Sequence, residues 1–252
     1  MDETRPPPRS RSIYLLPNLF TTAGLFAGFY AIIAASNGDF VSAAVAVFVA
    51  GVMDGLDGKV ARLTGTSSEF GVQYDSLADL VAFGVTPAML VYFWKLQQFG
   101  RLGLMAAFLL VACGALRLAR FNVQTKVISK KFFIGLPIPA QACTLATLVL
   151  FAPYIPEAWM GQPLAIGVLV LAYVLSFLMV STIRFASFKE YGFLKAHPFS
   201  SMVTAILLFV LVASRPRALG FLLFLGYIAS GVLYTLFYLS RRSSKLLRET
   251  PK

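Results

Sequence analysis

Residues 54 to 79 read DGLDGKVARLTGTSSEFGVQYDSLAD and place aspartates at positions 54, 57, 75 and 79. On a helix turning about 100° per residue, Asp54, Asp57, Gly58 and Ala61 fall within one arc of roughly 100°, with Arg62 beside it. Gly71, Asp75 and Asp79 recur at i, i+4 and i+8 and share a face of a second helix. Two helices joined by the short turn LTGTSSEF would therefore point four carboxylates at each other. Carboxylates packed together against apolar surroundings repel one another and lose hydration, so they require something that neutralises them. A divalent cation does so. The donors are all oxygen, with neither Cys nor His nearby, which suits Mg²⁺, Mn²⁺ or Ca²⁺ and disfavours zinc. Mg²⁺ sites commonly combine carboxylates with substrate phosphates, so one or two ions shared with a bound diphosphate fit the cluster. Gly58 and Ala61 leave space on the acidic face, Gly71 lets the second helix come close, and Arg62 can pair with a phosphate. An EF-hand is excluded, because DGLDGKVARLTG lacks the alternating oxygen ligands and the terminal Glu.

The elements that carry these residues are those of a membrane protein. Of 252 residues, 58% are hydrophobic and 13% charged, with a mean hydropathy of +0.76. Apolar runs near residues 14–36, 40–61, 74–97, 102–120, 136–154, 163–184, 198–214 and 219–240 are each about long enough to cross ~30 Å at 1.5 Å per residue. An all-α bundle of about eight transmembrane helices is expected. Residues 1–13 read as a cytoplasmic N-terminal tail, 14–240 as a single membrane domain and 241–252 as a basic cytoplasmic tail.

The net charge of +11 would suggest nucleic acid in a soluble protein, but here the basic residues gather at the ends of apolar runs. Alternate connections and tails hold 18 Lys and Arg on one side against 4 on the other, which predicts both termini in the cytoplasm. The first apolar run exceeds the core of a secretory signal and Pro17-Asn18 interrupts its start, so it reads as the first helix. Cys113 and Cys143 lie in apolar segments and read as packing residues. His197, the single histidine, cannot build a His-ligated site alone.

The pattern D-G-x-D-G-x-x-A-R, eight residues, then G-x-x-x-D-x-x-x-D resembles the signature of the CDP-alcohol phosphotransferase family. The segments LPNLFTTAGLFAGF, AFGVTPA, ALRLARFNV, FIGLPIPAQA and MVSTIRFASFK look like its phosphatidylserine synthase branch. What the resemblance implies is an integral enzyme of the cell (inner) membrane, its active site facing the cytoplasm, that displaces CMP from CDP-diacylglycerol with L-serine. It would use two divalent ions, Mg²⁺ or Mn²⁺. Asp54, Asp57, Asp75 and Asp79 would be the metal-site carboxylates, with Asp79 also the catalytic base. Asn18, Thr21, Asp57, Gly58, Ala61, Arg62 and Gly71 would line the CDP and diphosphate site. A glycerol-phosphate or inositol-phosphate acceptor is the alternative within the family, and family members are commonly homodimers.

Two other classes are weighed by the acidic residues. A membrane prenyltransferase would be expected to show a second acidic cluster, whereas Asp39, Glu69, Glu157 and Glu190 are scattered. A cation transporter would continue its polar groups across the bilayer, but the outer halves of the second and third helices are apolar. Serine, unlike glycerol or inositol headgroups, carries a carboxylate. Arg117 and Arg120 stand three apart at the cytoplasmic end of the fourth helix and are the expected serine-binding pair.

Overall fold

A computed structural model describes residues 15–65, 68–124, 132–186 and 216–246. Helix α1 (Leu15–Ser36) and helix α2 (Phe40–Thr64) form an antiparallel hairpin. Their seam is almost all small side chains, among them Ala27, Ala31 and Ala34 on one helix and Ala43, Ala46 and Ala50 on the other, all buried. Small residues let two backbones approach closely, which matters where lipid supplies no hydrophobic drive between helices. At 22 residues, α1 is about 33 Å long. Asp39 caps α2 by accepting the Ser42 N–H at 3.0 Å, and these hydrogen bonds hold its carboxyl below the usual carboxylate range.

The third crossing is one helical rod from Glu69 to Phe99. It begins as α3 (Glu69–Asp79), widens into a π segment (Leu80–Val85), returns as α4 (Thr86–Val91), and ends in π and 3₁₀ turns through Phe99. The widening directly after Asp79 has a cause in the sequence. Pro87 has no N–H and its ring would press on the carbonyl four residues earlier, so the preceding turn opens. The Thr86 N–H reaches back to the Val81 carbonyl, and Thr86 Oγ1 donates to the carbonyl of Gly28 on α1 at 3.0 Å. A Cβ on Gly28 would stand 3.0 Å from the Ala82 backbone, so this crossing rests directly against α1.

Helix α5 (Arg101–Gln124) follows the turn at Gly100. Strand β1 (Phe132–Ile134), helix α6 (Ile138–Phe151), a short α7 (Glu157–Met160), helix α8 (Gln162–Val180), strand β2 (Arg184–Ala186) and helix α9 (Pro216–Leu246) complete the described chain. Helices α6 and α9 lie side by side, with Thr147 against Gly220 and the rings of Phe151 and Phe221 stacked at 5.3 Å.

Six helical stretches among the described residues are long and apolar enough to cross a membrane: 17–36, 40–64, 69–99, 101–123, 162–180 and 217–235. The chain is an integral membrane helical bundle. The expected run at 136–154 is a shorter apolar helix, while the run at 198–214, His197 and the N-terminal tail lie outside the described residues. Two other expectations are modified. The third crossing starts at Glu69 rather than near 74, and α9 continues to Leu246, into the segment read as a tail.

The bundle is also not purely helical. Strands β1 and β2 pair antiparallel, Phe133 opposite Phe185. The pairing extends through the Gly135 N–H to the Ile183 carbonyl at 2.8 Å and the Leu136 N–H to the Leu178 carbonyl at 3.0 Å. These segments leave helices at one end of the bundle, and the ladder supplies the hydrogen bonds that a non-helical backbone needs there.

Candidate active site

The site is built by the turn between α2 and α3. Gly65 ends α2 in the left-handed conformation (φ 61°), its N–H returning to the Ala61 carbonyl. Ser68 starts α3 by accepting the Gly71 N–H at 3.0 Å. Both are local cap signals, and together they set the last turns of α2 beside the first turns of α3. One carboxylate oxygen from each of Asp54, Asp57 and Asp75 then lies within 4.8 Å of the others. Asp79 lines the same cleft and stands within hydrogen-bonding reach of Asp54.

Helix α1 closes the third side. Thr21 Oγ1 donates to Asp57 Oδ2 at 2.8 Å, and both side chains are buried. At the next residue, Thr22 Oγ1 and the Tyr74 hydroxyl are 2.8 Å apart, tying α1 to α3. A Cβ on Gly71 would meet Ser68 Oγ at 3.1 Å and Asn18 Oδ1 at 3.6 Å, so Asn18 stands at the start of α3. Towards the bundle interior the cleft is lined by Gly24, Ala50, Ala82 and Phe83, which makes it a polar mouth with an apolar floor.

The remaining sequence-predicted residues divide into open and occupied. Gly58 faces open space: a Cβ there would meet nothing within 4 Å. Arg62 is exposed, with its Nε donating to the Gly58 carbonyl at 2.8 Å, so the guanidinium lies back along α2 beside that opening. Ala61 is half-buried on the same helix.

The two expected serine-binding arginines have different surroundings. Arg120 spreads its guanidinium over backbone carbonyls: NH1 to Val180 at 3.1 Å, NH2 to Ile134 at 2.8 Å and to Met179 at 3.1 Å. It clamps the end of α8 to the end of β1, with both terminal nitrogens of the guanidinium donating to carbonyls. Arg117 is buried at 7% exposure, and its Nε has no hydrogen-bond partner among the described residues. The charges of Arg120 and Asp79 act on it in opposite senses.

Carboxylates from two helices, three of them converging within 4.8 Å in a cleft of a membrane bundle, form a group that can hold a divalent cation. The donor set fits: it is all oxygen, three of the acidic side chains converge, and the buried one is held in place by Thr21.

The chain belongs to the CDP-alcohol phosphatidyltransferase family, whose model matches residues 14–178. That match contains every aspartate of the cleft and ends before β2 and α9. The family is generally dependent on divalent metal. Among its relatives, the CDP-diacylglycerol–serine O-phosphatidyltransferase of Helicobacter pylori strain J99 is 46% identical over 179 residues, 71% of this chain and 74% of the relative. A protein of the same name from Methanocaldococcus jannaschii is 39% identical over 145 residues, 57% of this chain and 63% of the relative. The archaetidylserine synthase of Methanothermobacter thermautotrophicus is 35% identical over 165 residues, 65% of this chain and 70% of the relative.

Proposed function

We propose that this chain transfers a phosphatidyl group from CDP-diacylglycerol to L-serine, forming phosphatidylserine and releasing CMP. The observation that carries the reading is the convergence of Asp54, Asp57 and Asp75 within 4.8 Å beside Asp79, in a chain whose relatives are named for that reaction. In this reading Asp54, Asp57, Asp75 and Asp79 would hold two ions, Mg²⁺ or Mn²⁺. When bound, such ions neutralise the diphosphate and improve CMP as a leaving group.

The chain's own residues do the rest. The open face at Gly58 and Ala61 admits the nucleotide, Arg62 and Asn18 lie where phosphate and ribose oxygens would arrive, and Gly71 keeps that approach narrow. The apolar floor and the lipid-facing helix surfaces accommodate the acyl chains. Asp79 accepts the proton of the serine hydroxyl as its oxygen bonds to the phosphorus that carries diacylglycerol, and the bond from that phosphorus to CMP breaks. Arg117 takes the serine carboxylate, and Arg120, through its carbonyl clamp, holds the backbone around it. The cleft opens on the cytoplasmic side of the inner membrane, where serine is available, in keeping with the basic-residue asymmetry.

The test is an assay of the purified full-length chain with CDP-diacylglycerol, Mg²⁺ or Mn²⁺ and a panel of labelled acceptors. CMP release coupled to serine incorporation into lipid is expected, and turnover of glycerol 3-phosphate or inositol phosphate without turnover of serine overturns the assignment. For Arg117→Ala the expectation is a rise of more than tenfold in the KM for serine with the KM for CDP-diacylglycerol little changed. An unchanged serine KM refutes the carboxylate contact.

A further inference from the structure

The proposed transfer requires one serine to meet two groups on different helices, its hydroxyl at Asp79 on α3 and its carboxylate at Arg117 on α5. Two contacts fix how those helices sit against each other. Inside the bundle, Gly114 of α5 and Gly84 of the π segment are both buried. A Cβ on Gly114 would stand 3.9 Å from the Gly84 Cα and would press on the Ile138 side chain of α6 at 2.8 Å. Towards the acidic end, Asn122 Nδ2 donates to Ser76 Oγ at 2.9 Å. Ser76 donates its own proton to the Val72 carbonyl at 3.0 Å, which leaves its oxygen as the acceptor for Asn122.

The two contacts are eight residues apart on each helix, from 114 to 122 and from 84 to 76, as an antiparallel pair in constant register requires. Between them stand Arg117, three residues from Gly114, and Asp79, three residues from Ser76. This register puts Arg117 level with position 81, about 3 Å along the axis from Asp79. The glycine contact is packing without direction. The Asn122 bond is directional and lies within one turn of Asp79, so it sets the rotation and distance of α3 against α5 at the level where the acceptor is held. We propose that Asn122 is a positioning residue for the acceptor: through Ser76 it fixes the span between Asp79 and Arg117, so that a serine held by its carboxylate presents its hydroxyl to the base. This rests on serine being the acceptor and on the roles given above to those two residues. The acidic cluster lies between α2 and α3, away from this bond, so metal and diphosphate binding do not depend on it.

Asn122→Ala removes the donor, Ser76→Ala removes the acceptor, and the double variant removes both. With the purified full-length chain, each single variant is expected to raise the serine KM about five- to tenfold. The double variant should raise it no further than the larger single effect, since the same bond is lost in all three. The KM for CDP-diacylglycerol and the Mg²⁺ concentration for half-maximal activity are expected to stay within twofold of the parent. Loss of folded protein lowers turnover without moving the serine KM, so this measurement separates positioning from stability. A serine KM within twofold of the parent in either single variant, or single effects that multiply in the double variant, overturns the role of Asn122 while leaving the synthase reading standing. A parent that consumes no serine overturns that reading, and this inference with it.

Discussion

Asp79 is the residue on which the proposed chemistry turns. Asp79→Asn keeps the size and one oxygen of the side chain but removes its ability to take a proton. Turnover is expected to fall by about 10²- to 10⁴-fold while CDP-diacylglycerol still binds. Near-parental turnover at saturating metal would sink the base assignment. Asp54→Asn and Asp75→Asn should instead shift the metal concentration required for half-maximal activity, since each removes a charged ligand from a set converging within 4.8 Å. Thr21 acts through Asp57, to which it donates at 2.8 Å. Thr21→Val preserves shape and removes that donor, and an apparent metal affinity weaker by about 10- to 100-fold is expected, the usual consequence of losing a group that orients a ligand. A metal titration identical to the parent's would assign Thr21 to packing alone.

At the scale of elements, the ladder and its clamp are what separate this bundle from a set of parallel rods. Gly135 turns the chain from β1 into α6 with φ at 80°, and a Cβ there would collide with the Met179 carbonyl and crowd the Arg120 guanidinium. Both the backbone conformation and the space therefore require glycine. Gly135→Ala is expected to cost more than about 1 kcal/mol, read as a lower thermal midpoint in detergent. Because the clamp adjoins Arg117, the serine KM of the surviving folded protein should rise more than that for CDP-diacylglycerol. A midpoint equal to the parent's would show that the ladder tolerates a side chain at this turn.

For the whole molecule, the expected orientation in the membrane rests on 18 basic residues counted on one side of eight expected crossings against 4 on the other. Single cysteines at positions 66 and 98, in a background lacking Cys113 and Cys143, report on it directly. Position 66 lies in the connection between α2 and α3, while Gln98 is exposed at the other end of the third crossing. The reagent should reach position 66 only from the cytoplasmic side and position 98 only from the opposite side. Labelling with the reverse sidedness would invert the topology and place the acidic cleft away from the cytoplasm.

The sequence by itself determined the membrane class, most of the crossings and the pairing of acidic faces. All three depend on local periodicity: the number of apolar residues needed to span lipid and the 3.6-residue turn that aligns Asp54 with Asp57 and Asp75 with Asp79. The turn between those faces was read as the short segment LTGTSSEF, and the structure adds the caps at Gly65 and Ser68 that bound it. The tertiary structure alone decided how the two arginines differ. Arg117 and Arg120 share a helix and a charge, but Arg120 meets carbonyls 14 to 61 residues away along the chain, and no pattern within α5 encodes that. The ladder between β1 and β2 was illegible for the same reason, since three-residue strands carry too little alternation to be read and exist only where two distant chain ends meet. Phe185 fits where Gly231 leaves room, a fit between residues more than forty apart along the chain, and such a fit is settled by packing rather than by spacing.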